Sequence, residues 1–348
     1  MKLICFSLAA FSFLAWMKAV AAGAGAATSN NSIAAMQPAS NEVSILRLEW
    51  VDSKRNRKVP VKIYFPKKSD KPLPVIIFSH GLGGTREGYE YLGKYWAGHG
   101  YVSVHLQHIG SDDAVWREAP SGEFMPAMRR AASNPDNFVN RPLDVSFAID
   151  QLAKLNEEDA SLKHRLDLDR IGLAGHSFGA YTTLAAAGEV FVTSYGTEFS
   201  AREPRIKAAI AMSAPAQKNK DYDLVFSKIK IPIFHMTGTL DDSPIGDTKA
   251  ADRRIPFDHI NGADQYLLIF NGGDHMVFSG RPRDWGNGEK DAEFQKDVCI
   301  CSTAFWDAYL KNETDAKAWL TDGGAQKVLK EDGTFTEKLK SHASAQGR

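Results

Sequence analysis

The stretch IGLAGHSFGAY, Ile171 to Tyr181, sets Ser177 between Gly175 and Gly179 directly after a short apolar run. The run reads as a strand and FGAYTTLAAAG, from Phe178, as a helix, so the serine falls on a sharp strand-to-helix turn. Glycines at the flanking positions let the two backbones approach and leave the hydroxyl projecting above the end of the strand. Small residues are common in ordinary turns as well. The strand before and the helix after are what make Ser177 a candidate nucleophile.

A serine hydroxyl is a weak nucleophile at neutral pH and needs a base near pKa 7, with an acid orienting that base. The chain supplies both further on, at strand ends. IPIFHMTGTLDDSP is an apolar run that enters a polar turn at Asp241 and Asp242. Asp241 is the preferred acid because it stands at G-x-x-D from Gly238; Asp242 is the alternative, since spacing alone does not separate neighbours. Either one could equally serve as a turn or cap residue. YLLIFNGGDHMVF then ends a further strand in a glycine turn before His275, the candidate general base. His235, inside its strand, reads as a packed core residue instead.

Upstream, FSHGLGG (Phe78–Gly84) closes another apolar strand in a glycine-rich loop. Acyl transfer creates a negative oxygen that needs two fixed N–H donors. The backbone N–H groups of Leu82 and Phe178 are the candidates, and His80 is read as bracing the loop. The loop lacks the GxGxxG and GxxxxGK spacings of phosphate-binding turns.

Working outward, EVSILRLEWV and KVPVKIYF alternate with period two and form an antiparallel hairpin at a sheet edge. After them strands and helices alternate, which implies right-handed crossovers and a mainly parallel sheet covered on both faces, with active sites at the carboxyl ends of its strands. The helix RPLDVSFAIDQLAKL is expected to turn Leu143, Phe147, Ile149 and Leu152 mostly inward, and a last long helix runs from about Phe294 to Leu310. Residues 109–140 break the rhythm and read as an inserted lid or binding loop. Its Trp116, Phe124 and Met125 either line a substrate pocket or pin the loop to the body. SDDAVW within it reads as a solvated turn in preference to a cation site.

Lys plus Arg and Asp plus Glu balance at 42 each in 348 residues, so no overall field draws in nucleic acid or an anionic membrane. Residues 1–22 read as a secretory signal peptide: Lys2, then an apolar run shorter than the roughly 20 residues a membrane span needs. Residues 23–42 follow as a flexible leader, 43–311 as one domain, and 312–348 as a polar tail. The mature chain keeps Cys299 and Cys301, two apart on a helix and so poorly placed for a disulfide; Cys301 is expected in the core and Cys299 partly exposed.

Together SHGLGG, GHSFG, GTLDD and GGDHMVF resemble the α/β-hydrolase superfamily, in particular the branch holding platelet-activating factor acetylhydrolases and the dienelactone hydrolase-like and polyester hydrolase-like secreted enzymes. The resemblance runs from about Val43 to Leu310. It implies an α/β-hydrolase fold with Ser177 as nucleophile, His275 as base, and the N–H groups of Leu82 and Phe178 as oxyanion donors. Two departures matter. In the platelet-activating factor enzymes the acid follows the preceding strand, which here reads AIAMSAPAQ without a carboxylate, a pattern that favours Asp241. Dienelactone hydrolases proper use cysteine where this chain has Ser177.

The expectation is a secreted or periplasmic serine hydrolase that cleaves carboxylic esters, lipid or polyester among them. It needs no cofactor or metal and has no integral membrane association once the signal is cleaved. The same triad would suit an amidase or thioesterase, and a catalytically silent binding module on the fold is the alternative of a different class.

Overall fold

A computed structural model describes residues 33–192, 196–218, 220–284, 286 and 288–340 of the chain.

 The signal peptide expected over residues 1–22 lies outside them.

The sheet is built from β1 (Val43–Asp52), β2 (Arg57–Pro66), β3 (Leu73–Ser79), β4 (Val102–Leu106), β5 (Leu166–His176), β8 (Ile206–Met212), β9 (Ile233–Leu240), β10 (Gln265–Asp274) and β11 (Gly333–Lys338). Between β5 and β8, β6 (Val190–Val192) and β7 (Glu198–Ser200) make a separate small hairpin. The spatial order is β1-β2-β4-β3-β5-β8-β9-β10-β11. From β4 to β10 every neighbouring pair is parallel; β1, β2 and β11 are antiparallel additions at the two edges. This is the α/β-hydrolase arrangement expected from the alternating pattern, with the N-terminal hairpin at one edge.

The helices are α1 (Glu90–Gly98), α2 (Ala114–Arg117), α3 (Phe124–Ser133), α4 (Pro135–Glu158), α5 (Phe178–Ala187), α6 (Tyr222–Val225), α7 (Ile255–His259), α8 (Asp291–Tyr309), α9 (Thr314–Thr321) and α10 (Gly324–Leu329). Side chains alternate across β3, and each face has its own core. Ile76 and Phe78 pack with Trp96 of α1 and with Phe294, Phe305 and Trp306 of α8. Val75 and Ile77 pack with Val145, Ile149 and Leu152 of α4. All ten residues of α5 are buried, in keeping with a sequence that carries no charged residue.

Several expectations are corrected. The chain after Lys311 is no polar tail as far as residue 340: α9 and α10 bury Trp319, Leu320 and Leu329, and β11 pairs with β10 and sets Phe335 against Phe234. Its polar residues are the outward faces of short elements. The end of the leader also packs, with Ala35 buried among core residues. Within 109–140 the chain forms α2, α3 and the first turn of α4, elements too short to show a period. In α4 the inward stripe is Arg141, Asp144, Val145, Ala148, Ile149 and Leu152, so Leu143 is exposed: two buried charged residues shift the apparent face. Cys299 is buried along with Cys301, because α8 is enclosed nearly all round. Asp112 is buried rather than solvated, accepting a hydrogen bond from Gln107 Nε2 at 2.8 Å.

Leu329→Ala tests whether the C-terminal elements belong to the core. Urea unfolding should show a loss of about 2–5 kcal/mol, as for other buried leucines; a change within about 0.5 kcal/mol, the surface value, would return the segment to a tail.

Candidate active site

Ser177 sits between β5 and α5 with φ +55° and ψ −116°, a conformation that a non-glycine residue holds only under constraint from its surroundings. The constraint is visible at Gly179, where an added Cβ would lie 1.8 Å from the Ser79 carbonyl oxygen. Only glycine lets the first turn of α5 press against the end of β3. The Ser177 N–H donates to Met212 O at 2.9 Å, tying the turn to β8 as well.

Ser177 Oγ lies 2.9 Å from His275 Nε2, and His275 Nδ1 lies 2.7 Å from Asp241 Oδ1. Asp241 directly follows β9 and is fully buried, while Asp242 points outward to an ion pair with Lys249 and accepts from the Ala250 N–H. Of the two neighbours, geometry brings Asp241 to the histidine. Gly238 makes this approach possible, since a Cβ there would stand 2.1 Å from Gly273 O, near the end of β10 and two residues before His275.

Thr237 Oγ1 donates to Asp241 Oδ2 at 2.8 Å, and Arg253 Nη2 stands 3.3 Å from Oδ1. Burial opposes the charge on Asp241, but the His275 hydrogen bond and the Arg253 charge outweigh it and hold the carboxyl below its usual range. Arg253 Nη2 is also 3.2 Å from His275 Nδ1. Both are donors when Nδ1–H is directed at Asp241, so they converge on one carboxylate oxygen and do not bond each other.

Of the oxyanion candidates, Leu82 lines the cleft onto which Ser177 and His275 open. Gly81 O accepts from His80 Nδ1 at 2.6 Å and from Gly84 N–H at 3.0 Å. Because the peptide is planar and trans, fixing that carbonyl fixes the Leu82 N–H in the opposite direction. The Phe178 N–H is one of the orphan donors at the start of α5. Ser177, His275 and Leu82 line a cleft of about 440 Å³ together with Trp116, Phe124 and Met125. Trp116 also pins the insertion to the loop, donating from Nε1 to Gly83 O at 2.9 Å.

Behind the loop lies a polar cluster that the sequence reading missed. Arg141 is fully buried and donates to Thr182 Oγ1 and Ser111 Oγ at 2.8 Å, to Ser79 Oγ at 3.0 Å, and to His80 O. Its guanidinium lies 4.6 Å from the centre of the Phe178 ring. One side chain thus touches the segments that carry both N–H candidates. Burial pushes its pKa down to about 9.

Asp144 accepts from Arg57 and from His108 Nδ1, and these partners overcome its burial to hold it at about 2. With its Nδ1–H so committed, His108 Nε2 accepts from Ser79 Oγ at 2.9 Å. The sequence signal was an Arg and an Asp three apart on the face that also carries Val145 and Ile149. Among the described residues no group of His, Cys, Asp and Glu is placed to hold a metal ion.

Residues 42–117 match the family model of platelet-activating factor acetylhydrolase, isoform II. A platelet-activating factor acetylhydrolase of Canis lupus familiaris is 24% identical over 293 residues, covering 73% of this chain and 61% of that protein. That of Cavia porcellus is 28% identical over 155 residues, 38% of this chain and 36% of that protein. Cutinase 2 of Thermobifida cellulosilytica is 25% identical over 179 residues, 51% of this chain and 52% of that protein. The matches therefore span between about a third and three fifths of these relatives' lengths. The chain is similar to both groups and shares the α/β-hydrolase fold.

Burial lowers the pKa of His80, His105, His108, His176 and His235, to about 3 for His105 and about 4 for His108 and His235. In the unfolded chain these imidazoles titrate near 6.5. Below that pH the unfolded state binds more protons, so stability is present above about pH 6.5 and is lost as pH falls toward 4. Each imidazole kept neutral contributes a slope of about 1.4 kcal/mol per pH unit. Calorimetry across this range should show Tm falling steeply with uptake of several protons on unfolding; a flat Tm would contradict the assignment.

Proposed function

We propose that this chain is an exported serine hydrolase that cleaves carboxylic esters through an acyl-enzyme. The observation that carries the reading is the continuous line Ser177 Oγ, His275, Asp241 at 2.9 and 2.7 Å, opening on a cleft. Relatives named acetylhydrolase and cutinase support the same reaction class.

In this reading Ser177 Oγ attacks the ester carbonyl as its proton passes to His275 Nε2. Asp241 holds the ring so that Nε2 is the free nitrogen, and it stabilises the imidazolium that forms. The carbonyl oxygen, now negative, is held by the N–H groups of Leu82 and Phe178; each such donor is worth about 3–4 kcal/mol in the transition state. Collapse breaks the ester C–O bond, and His275 gives its proton to the leaving alkoxide. Water, deprotonated by His275, then attacks the acyl-enzyme and releases the acid. Trp116, Phe124 and Met125 form the substrate wall. Export rests on the N-terminal apolar run and small residues of the sequence; among the described residues no helix is long and apolar enough to cross a membrane.

A panel of p-nitrophenyl esters of increasing acyl length tests this reading on wild type, Ser177→Ala, Asp241→Asn and Asp242→Asn. Ser177→Ala should fall to background, and Asp241→Asn should lose about 10⁴ in kcat, the effect of a wrong histidine tautomer. Asp242→Asn should stay within about twofold, as expected of an exposed ion pair. Equal background rates in wild type and Ser177→Ala would refute the enzyme reading. Turnover of amides or thioesters in preference to esters would replace its substrate class.

A further inference from the structure

His176, the variable residue of the G-x-S-x-G turn, is buried and has no part in the proton transfer described above. Its Nδ1 lies 2.9 Å from Tyr89 Oη and its Nε2 lies 2.9 Å from the backbone oxygen of His275. Tyr89 Oη in turn accepts from the Gly81 N–H at 3.3 Å. The two ends of this line are a backbone N–H, which only donates, and a backbone carbonyl, which only accepts.

Those ends determine every proton between them. His176 Nε2 carries hydrogen and donates to His275 O. The Tyr89 oxygen receives the Gly81 N–H, and among the described residues its hydroxyl has no acceptor other than His176 Nδ1. The imidazole is therefore neutral and in one tautomer, in keeping with its burial.

We propose that Tyr89 and His176 are positioning residues, whose one-way hydrogen-bond chain holds the oxyanion loop at Gly81 in register with the loop that carries His275. This inference rests on the ester-hydrolase reading. Leu82 follows Gly81 directly, so the chain links the peptide beside one N–H donor to the main chain of the base, through the residue next to the nucleophile. Three segments of the site, from the ends of β3, β5 and β10, are thereby joined through the His176 imidazole and the Tyr89 hydroxyl.

Two further observations single out the Tyr89 hydroxyl. Tyr89 holds φ +59° just ahead of α1, a left-handed conformation that an aromatic residue keeps only where its surroundings impose it. Its ring packs on Phe78 at 4.6 Å between centroids, a contact that phenylalanine would make equally well. The hydroxyl is thus separable from the packing.

The test uses wild type, Tyr89→Phe, His176→Phe and the double variant, assayed on p-nitrophenyl acetate and titrated with an alkylboronic acid, which forms a tetrahedral adduct on the serine. Tyr89→Phe should lower kcat about 10-fold with KM within about twofold, and weaken boronate binding by a similar factor, the pattern of an interaction realised in the transition state. The double variant should be no slower than the worse single one within about threefold, because one broken link already opens the chain. His176→Gln, whose amide can still donate to His275 O, should recover part of the rate lost in His176→Phe.

Wild-type kcat and boronate affinity in Tyr89→Phe, or single effects that multiply in the double variant, would overturn the chain while leaving the ester reading intact. An inactive wild type would overturn both.

Discussion

The close contact between the first turn of α5 and the end of β3 is the constraint on which the site depends. With Gly179 against the Ser79 carbonyl, the start of a buried helix stands beside the loop that leaves the next strand. The orphan N–H of Phe178 then comes directly after Ser177, which lines the same cleft as Leu82 and is held there in a strained conformation. A side chain at residue 179 would force the helix and strand apart and separate all three groups at once. The distances from Ser177 to His275 and from His275 to Asp241 have meaning only because this turn fixes where the hydroxyl begins.

Buried charge is the second organising element. A lone guanidinium or carboxylate in a protein interior is strongly disfavoured unless hydrogen bonds replace its water. Arg141 meets that demand with three hydroxyls and a carbonyl, and Asp144 with Arg57 and His108. Since the two charges stand on α4 and their partners lie on β2, at the end of β3, on the segment after β4 and on α5, satisfying the charges also fixes those elements relative to one another. A purely apolar interior of the same volume would lack these directional ties to Ser79 and His80 at the start of the Phe78–Gly84 loop.

This division explains what could be read from the sequence. Ser177, Asp241 and His275 were legible because each follows an apolar strand and stands in the order that acyl transfer needs. The antiparallel hairpin and the parallel core followed from period-two alternation and continuous apolar runs. Arg141 and Asp144 were not legible as interior residues, because periodicity assigns charged residues to the solvent face by default. Taking Leu143 as inward was the direct result. The β6–β7 hairpin, α9, α10 and β11 escaped notice because elements of three to eight residues carry too few apolar positions to stand out from polar turns. The choice between Asp241 and Asp242 depended on a turn that rotates adjacent side chains to opposite sides, a matter of geometry that spacing does not encode.

The place of Asp241 follows from the sheet. Strands β8, β9 and β10 are neighbours, and His275 comes directly after β10. An acid on the loop after β8 has to reach past the end of β9, whereas Asp241, one residue beyond β9, is already beside the histidine. At the end of β8 stands Ser213 instead, with φ +53°, and Arg253 Nη1 donates to the Ser213 and Ala214 carbonyls at 2.8 and 3.0 Å. The same guanidinium donates through Nε to Asp241 O at 3.1 Å. Arg253 therefore ties the ends of β8 and β9 together and sets its charge beside the carboxylate. A carboxylate on the β9 loop needs the shortest span to His275, and Arg253 is the side chain that makes Ser213 and Ala214, at the end of β8, part of the support for Asp241.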